Sequence, residues 1–225
     1  MSLILFDLDG TLIDSEVGIT TSMVHAMRSV GVDQPGQELM RSWIGPPLHV
    51  SFSQLLGDDL ERVDQAVHHY RERFDAIGWG EHTVYPGIEK LIIHLAERGN
   101  RLAVVTSKVA SQAGRIVEHL SFGRLFEAVF APTPETRTCA KADLVARALN
   151  ELGGTAADAV MIGDRRFDIE GARANSVRGV GVLWGFGSFE ELRDAGADSM
   201  VADPGELESC LAGCTGGHLD NRFDA

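Results

Sequence analysis

The sequence predicts an α/β protein in which a doubly wound, mostly parallel sheet carries a small inserted α-helical domain. Three observations support this fold class. Leu3–Phe6 is a continuous apolar run, which is typical of a buried parallel strand. Residues 15–82 then show apolar side chains at helical spacing and no convincing strand. From Tyr85 onward, strand-like and helix-like segments alternate, which favours βα units with helices on both faces of one sheet.

These patterns also predict the domain organisation. We expect residues 1–14 and 83–214 to form the sheet-containing core, and residues 15–82 to form a helical cap. We expect residues 215–225, which are polar and contain glycine, to be disordered. A chain of 225 residues with 44% hydrophobic residues is long enough and apolar enough to bury a full core.

The cap segment predicts three helices. The first runs through apolar positions from Val17 to Val30, and Gly31 is a typical stop signal. Gln37–Trp43 and Leu60–Phe74 predict two more helices, and the Pro/Gly-rich stretch Ile44–Leu48 is expected to be a loop between them.

The core segment predicts alternating elements after a turn at Pro86-Gly87. Helices are expected at Ile88–Arg98, Ala110–Leu120, Lys141–Leu152, Ile169–Ala174 and Phe189–Ala195. Strands are expected at Leu102–Val105, Ala128–Phe130, Ala159–Ile162, Gly179–Leu183 and Ser199–Val201.

The charge and the cysteines exclude several classes of protein. A formal net charge of -13 argues against a nucleic-acid surface or an anionic membrane as partner. The chain contains no apolar run long enough to span a bilayer, and three cysteines are too few for a disulfide framework, so we expect a reducing, cytoplasmic location. Cys210, Cys214 and His218 would share a helical face, but a fourth metal ligand is not evident there.

The first candidate site follows the first strand. Asp7 and Asp9 are two residues apart in extended chain, so their carboxylates start on the same side, and Gly10 permits a sharp turn. Two adjacent carboxylates repel each other unless a cation lies between them or one is protonated. The alternative is an ordinary Asp-Gly turn between a strand and a helix. The full pattern favours a hard metal ion, with one carboxylate as a nucleophile.

Polar residues also follow two other predicted strands. Thr106 and Ser107 offer hydroxyl and backbone N–H groups to a phosphate, although Thr or Ser is also a common helix N-cap. Asp164 and Asp168 bring further carboxylates to the same edge of the sheet. Asp168 also suits the first turn of a helix.

The chain has only three lysines, Lys90, Lys108 and Lys141, although an anionic substrate needs a fixed cation. Lys141 begins a predicted helix, where a lysine is unfavourable by the helix dipole unless something else holds it there. The alternative interpretation is that Lys141 is a solvated lysine in the first turn of that helix.

Asp7/Asp9, Thr106, Lys141 and Asp164/Asp168 together, in this order, resemble the four motifs of the haloacid dehalogenase superfamily, most of whose members are phosphatases. The resemblance covers nearly the whole chain except its tail. The helical insert resembles the cap of the phosphoglycolate phosphatase and 5′-nucleotidase-like branch. Ser107 stands where relatives often have Asn, and Ala142 where Pro is common, which affects substrate detail rather than the chemistry.

The resemblance implies a Mg²⁺-dependent phosphomonoester hydrolase with an aspartyl-phosphate intermediate. Asp7 would be the nucleophile and Asp9 the acid and base. Thr106 and Lys141 would hold the phosphoryl oxygens, and Lys141 would keep Asp7 ionised. The metal ligands would be Asp7, Asp9 through its carbonyl, Asp164 and Asp168.

The expected substrate is a small phosphorylated metabolite, with phosphoglycolate or a nucleoside 5′-monophosphate favoured. The cap would select it, with Ser107, Gly45, Arg71 and Arg73 as candidate contacts, although Gly45 also suits a connector and both arginines suit a solvated surface. Three other functions remain open: transfer of the phosphoryl group to another acceptor by a phosphomutase or a protein-modifying enzyme, carbon–halogen hydrolysis, and a non-catalytic scaffold. A dehalogenase has no use for the acid Asp9, and a scaffold has no evident need for a repulsive Asp7/Asp9 pair. The sequence is compatible with a monomer or a homodimer.

Overall fold

A computed structural model describes residues 2–133 and 139–212 of the chain. A six-stranded parallel sheet lies at its centre, with the strand order β5-β4-β1-β6-β7-β8. These strands span β1 Leu3–Phe6, β4 Arg101–Val105, β5 Phe126–Phe130, β6 Ala159–Gly163, β7 Arg178–Val182 and β8 Ser199–Val201. A second, two-stranded antiparallel sheet pairs β2 Ile13–Asp14 with β3 Thr83–Val84. The predicted α/β fold class is confirmed.

Ten α-helices lie in the described residues. They are α1 Glu16–Ser29, α2 Gln37–Ser42, α3 Leu48–Leu56, α4 Leu60–Ala76, α5 Ile88–Glu97, α6 Ala110–His119, α7 Lys141–Leu152, α8 Arg166–Ala174, α9 Phe189–Ala195 and α10 Pro204–Ala212. Two of them, α3 and α10, were not predicted. The prolines directly before α3 favoured a loop there, so its helical pattern was not recognised. Pro204-Gly205 likewise favoured a turn at the start of α10, although proline is tolerated in a first helical turn.

Helices cover both faces of the large sheet. Because side chains alternate along a strand, Ile4 and Phe6 belong to one apolar cluster, and Leu3 and Leu5 belong to the other. Residues of α5, α6 and α10 join the first cluster, and residues of α7 and α8 join the second. The continuous burial of β1 is the reason why its sequence is apolar at every position.

Helices α1 to α4 lie between β2 and β3 in the chain. Helix α4 packs against both α1 and α3, and its buried side chains recur at helical spacing from Val63 to Phe74. The buried indole of Trp43 donates a hydrogen bond to Gln54 and packs edge-on against Phe52. The short β2–β3 pair joins this helical segment to the rest of the chain. We propose that residues 15–82 are the cap and that the core begins again at residue 83.

The order of the strands defines where a ligand site can form. From β1 the chain builds outward through β4 and β5, and then returns to place β6 on the other side of β1. In open parallel sheets, ligands bind at the carboxyl ends of the strands where the strand order reverses. The segments that follow β1, β4 and β6 therefore meet at one edge, and these segments carry Asp7, Thr106 and Asp164.

Two expectations lie outside the described residues. The tail at residues 215–225 belongs to the undescribed end of the chain, and so do Cys214 and His218. Cys139 and Cys210 are both half-buried, and Cys210 Sγ accepts a hydrogen bond of 3.0 Å from Arg178 Nη2.

Candidate active site

Three carboxylates from two neighbouring strand ends converge at the edge of the sheet. Asp7, Asp164 and Asp168 each place one oxygen so that the three atoms lie within 4.8 Å of one another. Asp7 is 8% exposed, and the other two are fully buried. Asp7 directly follows β1, Asp164 directly follows β6, and Asp168 lies in the first turn of α8.

The backbone around this cluster is shaped to admit the carboxylates. Gly10 has a φ of 81°, and a Cβ atom built there would lie 2.2 Å from Asp164 Oδ2. Only glycine combines this left-handed conformation with so close an approach. Asp164 is held in place by the backbone N–H of Phe186, at 2.7 Å from Oδ2, and by the Thr11 hydroxyl, at 3.3 Å from Oδ1.

Asp168 has two functions in the structure. Its Oδ2 accepts a hydrogen bond of 3.1 Å from the backbone N–H of Arg165, which caps the start of α8. Its Oδ1 lies 2.7 Å from Lys141 Nζ. The two interpretations of Asp168 from sequence, a helix-start residue and a member of the charged cluster, therefore hold together.

Lys141 lies between two of the carboxylates. Its Nζ is 3.0 Å from Asp7 Oδ1, and it donates a hydrogen bond of 3.0 Å to the carbonyl of Val105 at the end of β4. The side chain is 4% exposed, so Lys141 is not a solvated first-turn lysine. The buried ion pairs explain why a lysine is stable at the start of a helix.

The cluster holds more negative charge than Lys141 neutralises. Burial and, after it, the charge of Asp168 raise the pKa of Asp7 from 3.8 to about 7, and Lys141 only partly opposes them. Burial also raises the pKa of Asp164, with Asp168 and Asp7 adding to the effect. Burial lowers the pKa of Lys141, but Asp168 and Asp7 outweigh it and raise that pKa. Lys141 is therefore not sufficient by itself to keep Asp7 ionised.

A divalent cation would complete this arrangement. Asp7 Oδ1 and Asp168 Oδ1 are buried and accept no well-directed hydrogen bond from a described residue, so each has an open lone pair beside Lys141. Carboxylate oxygens are the ligands that Mg²⁺ prefers. The three-carboxylate cluster therefore fits a hard metal ion in both donor type and charge.

Asp9 has a different environment from the other aspartates. Lys108 Nζ lies 3.1 Å from Asp9 Oδ1 and 2.9 Å from Oδ2. The Asp9 carboxylate is thus paired with a second lysine and is not one of the three carboxylates of the cluster. Sequence reasoning missed Lys108 as a site residue, although the scarcity of lysine and its place two residues after Thr106 were the signals that could have found it.

Thr106 and Ser107 lie at the end of β4, as expected. Thr106 is 1% exposed, and its Oγ1 accepts a hydrogen bond of 3.2 Å from the backbone N–H of Lys108. The hydroxyl proton of Thr106 is left available to a phosphoryl oxygen, because that bond uses only an oxygen lone pair. Ser107 is exposed.

The structure separates the three cap residues that sequence analysis had grouped as substrate contacts. Gly45 is exposed and lies beside Arg165, whose Nη1 donates a hydrogen bond to the carbonyl of Ile44. Because Arg165 follows Asp164, this contact brings the Gly45 loop to the mouth of the site. Arg71 is half-buried on α4.

Arg73 requires a correction. It makes a double hydrogen bond to Glu81, at 2.8 and 3.0 Å, and a third of 3.0 Å to the hydroxyl of Ser22. This pairing lowers the pKa of Glu81. The guanidinium therefore ties the end of α4 to the segment before β3, and its charge is paired with Glu81 rather than with an anionic substrate.

Comparison with known proteins identifies the family. Residues 4–182 match the haloacid dehalogenase-like hydrolase family, and the chain belongs to it. The expected resemblance is confirmed. None of the helices in residues 2–133 and 139–212 is long and apolar enough to cross a membrane.

The chain is similar to two curated proteins and to one solved structure that differ in their names. A 5′-nucleotidase of Pseudomonas aeruginosa is 41% identical over 92% of this chain and 94% of its own length. The tyrosine-protein kinase PtkA of Mycobacterium tuberculosis is 37% identical over 82% of this chain and 63% of its own length. The crystal structure of a predicted phosphatase from Clostridium acetobutylicum superposes with a TM-score of 0.88 at 36% identity, covering 94% of this chain and 98% of that one. The protein is an enzyme of the phosphatase class within the family.

Proposed function

We propose that this protein is a Mg²⁺-dependent phosphomonoesterase that acts on a small phosphorylated metabolite through an aspartyl-phosphate at Asp7. The observation that carries the proposal is the buried cluster of Asp7, Asp164 and Asp168 against Lys141, at the point where the strand order reverses. This arrangement combines a nucleophile, a fixed cation and ligands for a hard metal ion.

The chemistry follows from where the charges lie. An oxygen of Asp7 attacks phosphorus, the bond from phosphorus to the leaving oxygen breaks, and Asp9 gives a proton to that oxygen. Water then attacks phosphorus while Asp9 takes up its proton, and the Asp7 carboxylate is released. Lys141 and the Thr106 hydroxyl hold the equatorial phosphoryl oxygens, on which negative charge is spread.

Magnesium would be held by the carboxylates of Asp7, Asp164 and Asp168 and by the backbone carbonyl of Asp9. It would supply positive charge that offsets the excess of carboxylates and the negative charge of the phosphate. The raised pKa of Asp7 supports this requirement, since the nucleophile must be ionised and Lys141 alone leaves its pKa near neutrality.

We propose a nucleoside 5′-monophosphate as the first substrate to test, with phosphoglycolate as the second. The relative named 5′-nucleotidase supports this order, because the two chains match over almost their whole lengths. The Gly45 loop and Arg71 are the proposed cap contacts, and Ser107 is the proposed contact on the core.

The test is phosphate release from nucleoside 5′-monophosphates, phosphoglycolate, sugar phosphates and a phosphotyrosine peptide, in Mg²⁺ and after EDTA treatment. We expect release that needs Mg²⁺, with a preference for one substrate class. Full activity of metal-free protein would contradict the metal site, and no release from any ester by folded protein would contradict the phosphatase function.

The similarity to PtkA favours one second candidate, the transfer of a phosphoryl group to a protein tyrosine. It would use the same aspartyl-phosphate with a phenol in place of water as acceptor. Incubation with labelled ATP and a tyrosine-containing protein tests it, and Asp7→Asn is the matched control. Label that appears in the tyrosine-containing protein with the unmodified enzyme, and not with Asp7→Asn, would favour transfer over hydrolysis.

A further inference from the structure

A second buried lysine lies beside the proposed acid and base, and the four family motifs do not include it. Lys108 has a side chain that is 5% exposed, and its ammonium contacts both oxygens of Asp9. Lys141, by contrast, pairs with Asp7 and Asp168. Each of these two lysines thus pairs with different carboxylates, and Lys108 pairs with Asp9.

The Lys108 ammonium also contacts the helical segment. Its Nζ lies 4.5 Å from the centre of the Phe74 ring, and Phe74 belongs to α4 and is 1% exposed. Tyr70 stacks on Phe74 with ring centres 5.5 Å apart and planes at 10°. An ammonium over a desolvated aromatic face is attracted to it, so Phe74 helps to fix Lys108.

This arrangement joins parts that are remote in the chain. Asp9 follows β1, Lys108 follows β4, and Phe74 comes from the segment between β2 and β3. A lysine side chain has four flexible carbons and would otherwise sample many positions. Because the ammonium contacts both Asp9 and Phe74, its position depends on where α4 lies.

We propose that Lys108 is a positioning residue that fixes the direction of the Asp9 carboxylate, and that Phe74 holds Lys108 in place when the helical segment covers the site. The inference rests on the proposed role of Asp9 in proton transfer. It goes beyond that role by making the geometry of Asp9 depend on Lys108 and on a residue of the cap.

Lys108→Met tests the proposal, because methionine keeps much of the length and apolar character of the side chain and removes its charge. Lys90→Met is the matched control, since Lys90 is the lysine that belongs to neither ion-pair cluster of the site and is exposed on α5. We expect Lys108→Met to lower kcat by about 10- to 100-fold, as displacement of a catalytic group does, with little change in KM. Lys90→Met should behave as the unmodified enzyme.

A double-mutant cycle with Asp9→Asn separates positioning from other roles. p-Nitrophenyl phosphate is the probe, because its good leaving group keeps the residual rate of Asp9→Asn measurable. If Lys108 acts through Asp9, adding Lys108→Met to Asp9→Asn changes kcat by less than about twofold. If Lys108→Met removes the same factor in both backgrounds, or raises KM while kcat stays constant, Lys108 acts on the substrate and the inference is wrong.

Phe74→Leu provides an independent arm from the cap side. It should lower kcat in the same direction as Lys108→Met but by less, and the loss should shrink in the Lys108→Met background. Circular dichroism and thermal unfolding verify that each variant is folded. The single variant Asp9→Asn tests the proposed role of Asp9 in proton transfer. A fully active Asp9→Asn would overturn that role, and this inference with it.

Discussion

Asp7→Asn should abolish turnover and at the same time stabilise the metal-free protein. Asparagine has nearly the same shape as aspartate, but it carries no charge and cannot act as the nucleophile. In the folded protein, burial and the nearby Asp168 raise the pKa of Asp7 from 3.8 to about 7. The folded state therefore binds more protons than the unfolded chain between these two values, and its stability falls as the pH rises through that window.

The pKa change sets the size of the effect. A rise from 3.8 to about 7 corresponds to about 4 kcal/mol of lost stability at a pH above both values. Asparagine avoids this cost, but Lys141 then loses one of its two carboxylate partners. We expect metal-free Asp7→Asn to exceed the unmodified protein by about 2 to 4 kcal/mol in free energy of unfolding at pH 8, and by less than half of that at pH 5.

Urea unfolding in EDTA at pH 5 and pH 8 measures this difference. Asp58→Asn is the matched control, since Asp58 is exposed in the turn before α4 and its loss should change stability equally at both values of pH. A variant Asp7→Asn that is less stable than the unmodified protein at pH 8, or a difference that does not depend on pH, would refute the electrostatic account of the cluster.

Three further predictions concern the same site. Asp9→Asn should slow the hydrolysis of alkyl phosphates more than that of p-nitrophenyl phosphate, because a good leaving group needs less protonation; equal slowing, measured as kcat for both esters, would argue against the acid role. Mg²⁺ should raise the melting temperature of EDTA-treated protein in a concentration-dependent way, and the increase should be absent in Asp164→Asn; an equal increase in both would place the metal elsewhere. Gly163→Ala should weaken Mg²⁺ binding measured by calorimetry, because its Cβ would lie 2.2 Å from Asp168 Cγ, whereas Gly114→Ala meets no atom within 4 Å and should leave the affinity unchanged.

Much of the site could be predicted because two of its carboxylates directly follow predicted strands. Asp7 and Asp164 each follow a continuous apolar strand, and parallel strands bring their carboxyl ends together whatever lies between them. Lys141 was predicted by a different argument, since a lysine at a helix start needs a partner and the chain has only two other lysines.

The residues that sequence reasoning missed or misplaced depend on contacts between distant segments. Lys108 contacts Asp9 although the two residues are 99 positions apart in the sequence, and a local sequence pattern does not indicate such a pair. Arg73 was expected to face the substrate, but the chain folds back after α4 and presents Glu81 to it. Helix α3 was missed because prolines at its start were interpreted as a loop, although Pro47 occupies the N-cap and breaks no helical hydrogen bond.

In the proposed reaction, Asp7 carries the phosphoryl group. Rapid mixing with substrate and Mg²⁺, followed by borohydride reduction and peptide mass spectrometry, measures it directly, since reduction converts an aspartyl-phosphate to homoserine. We expect homoserine at position 7 during turnover, and none without substrate or in Asp7→Asn. Rapid phosphate release with no modification at Asp7, or modification of a different carboxylate, would contradict it.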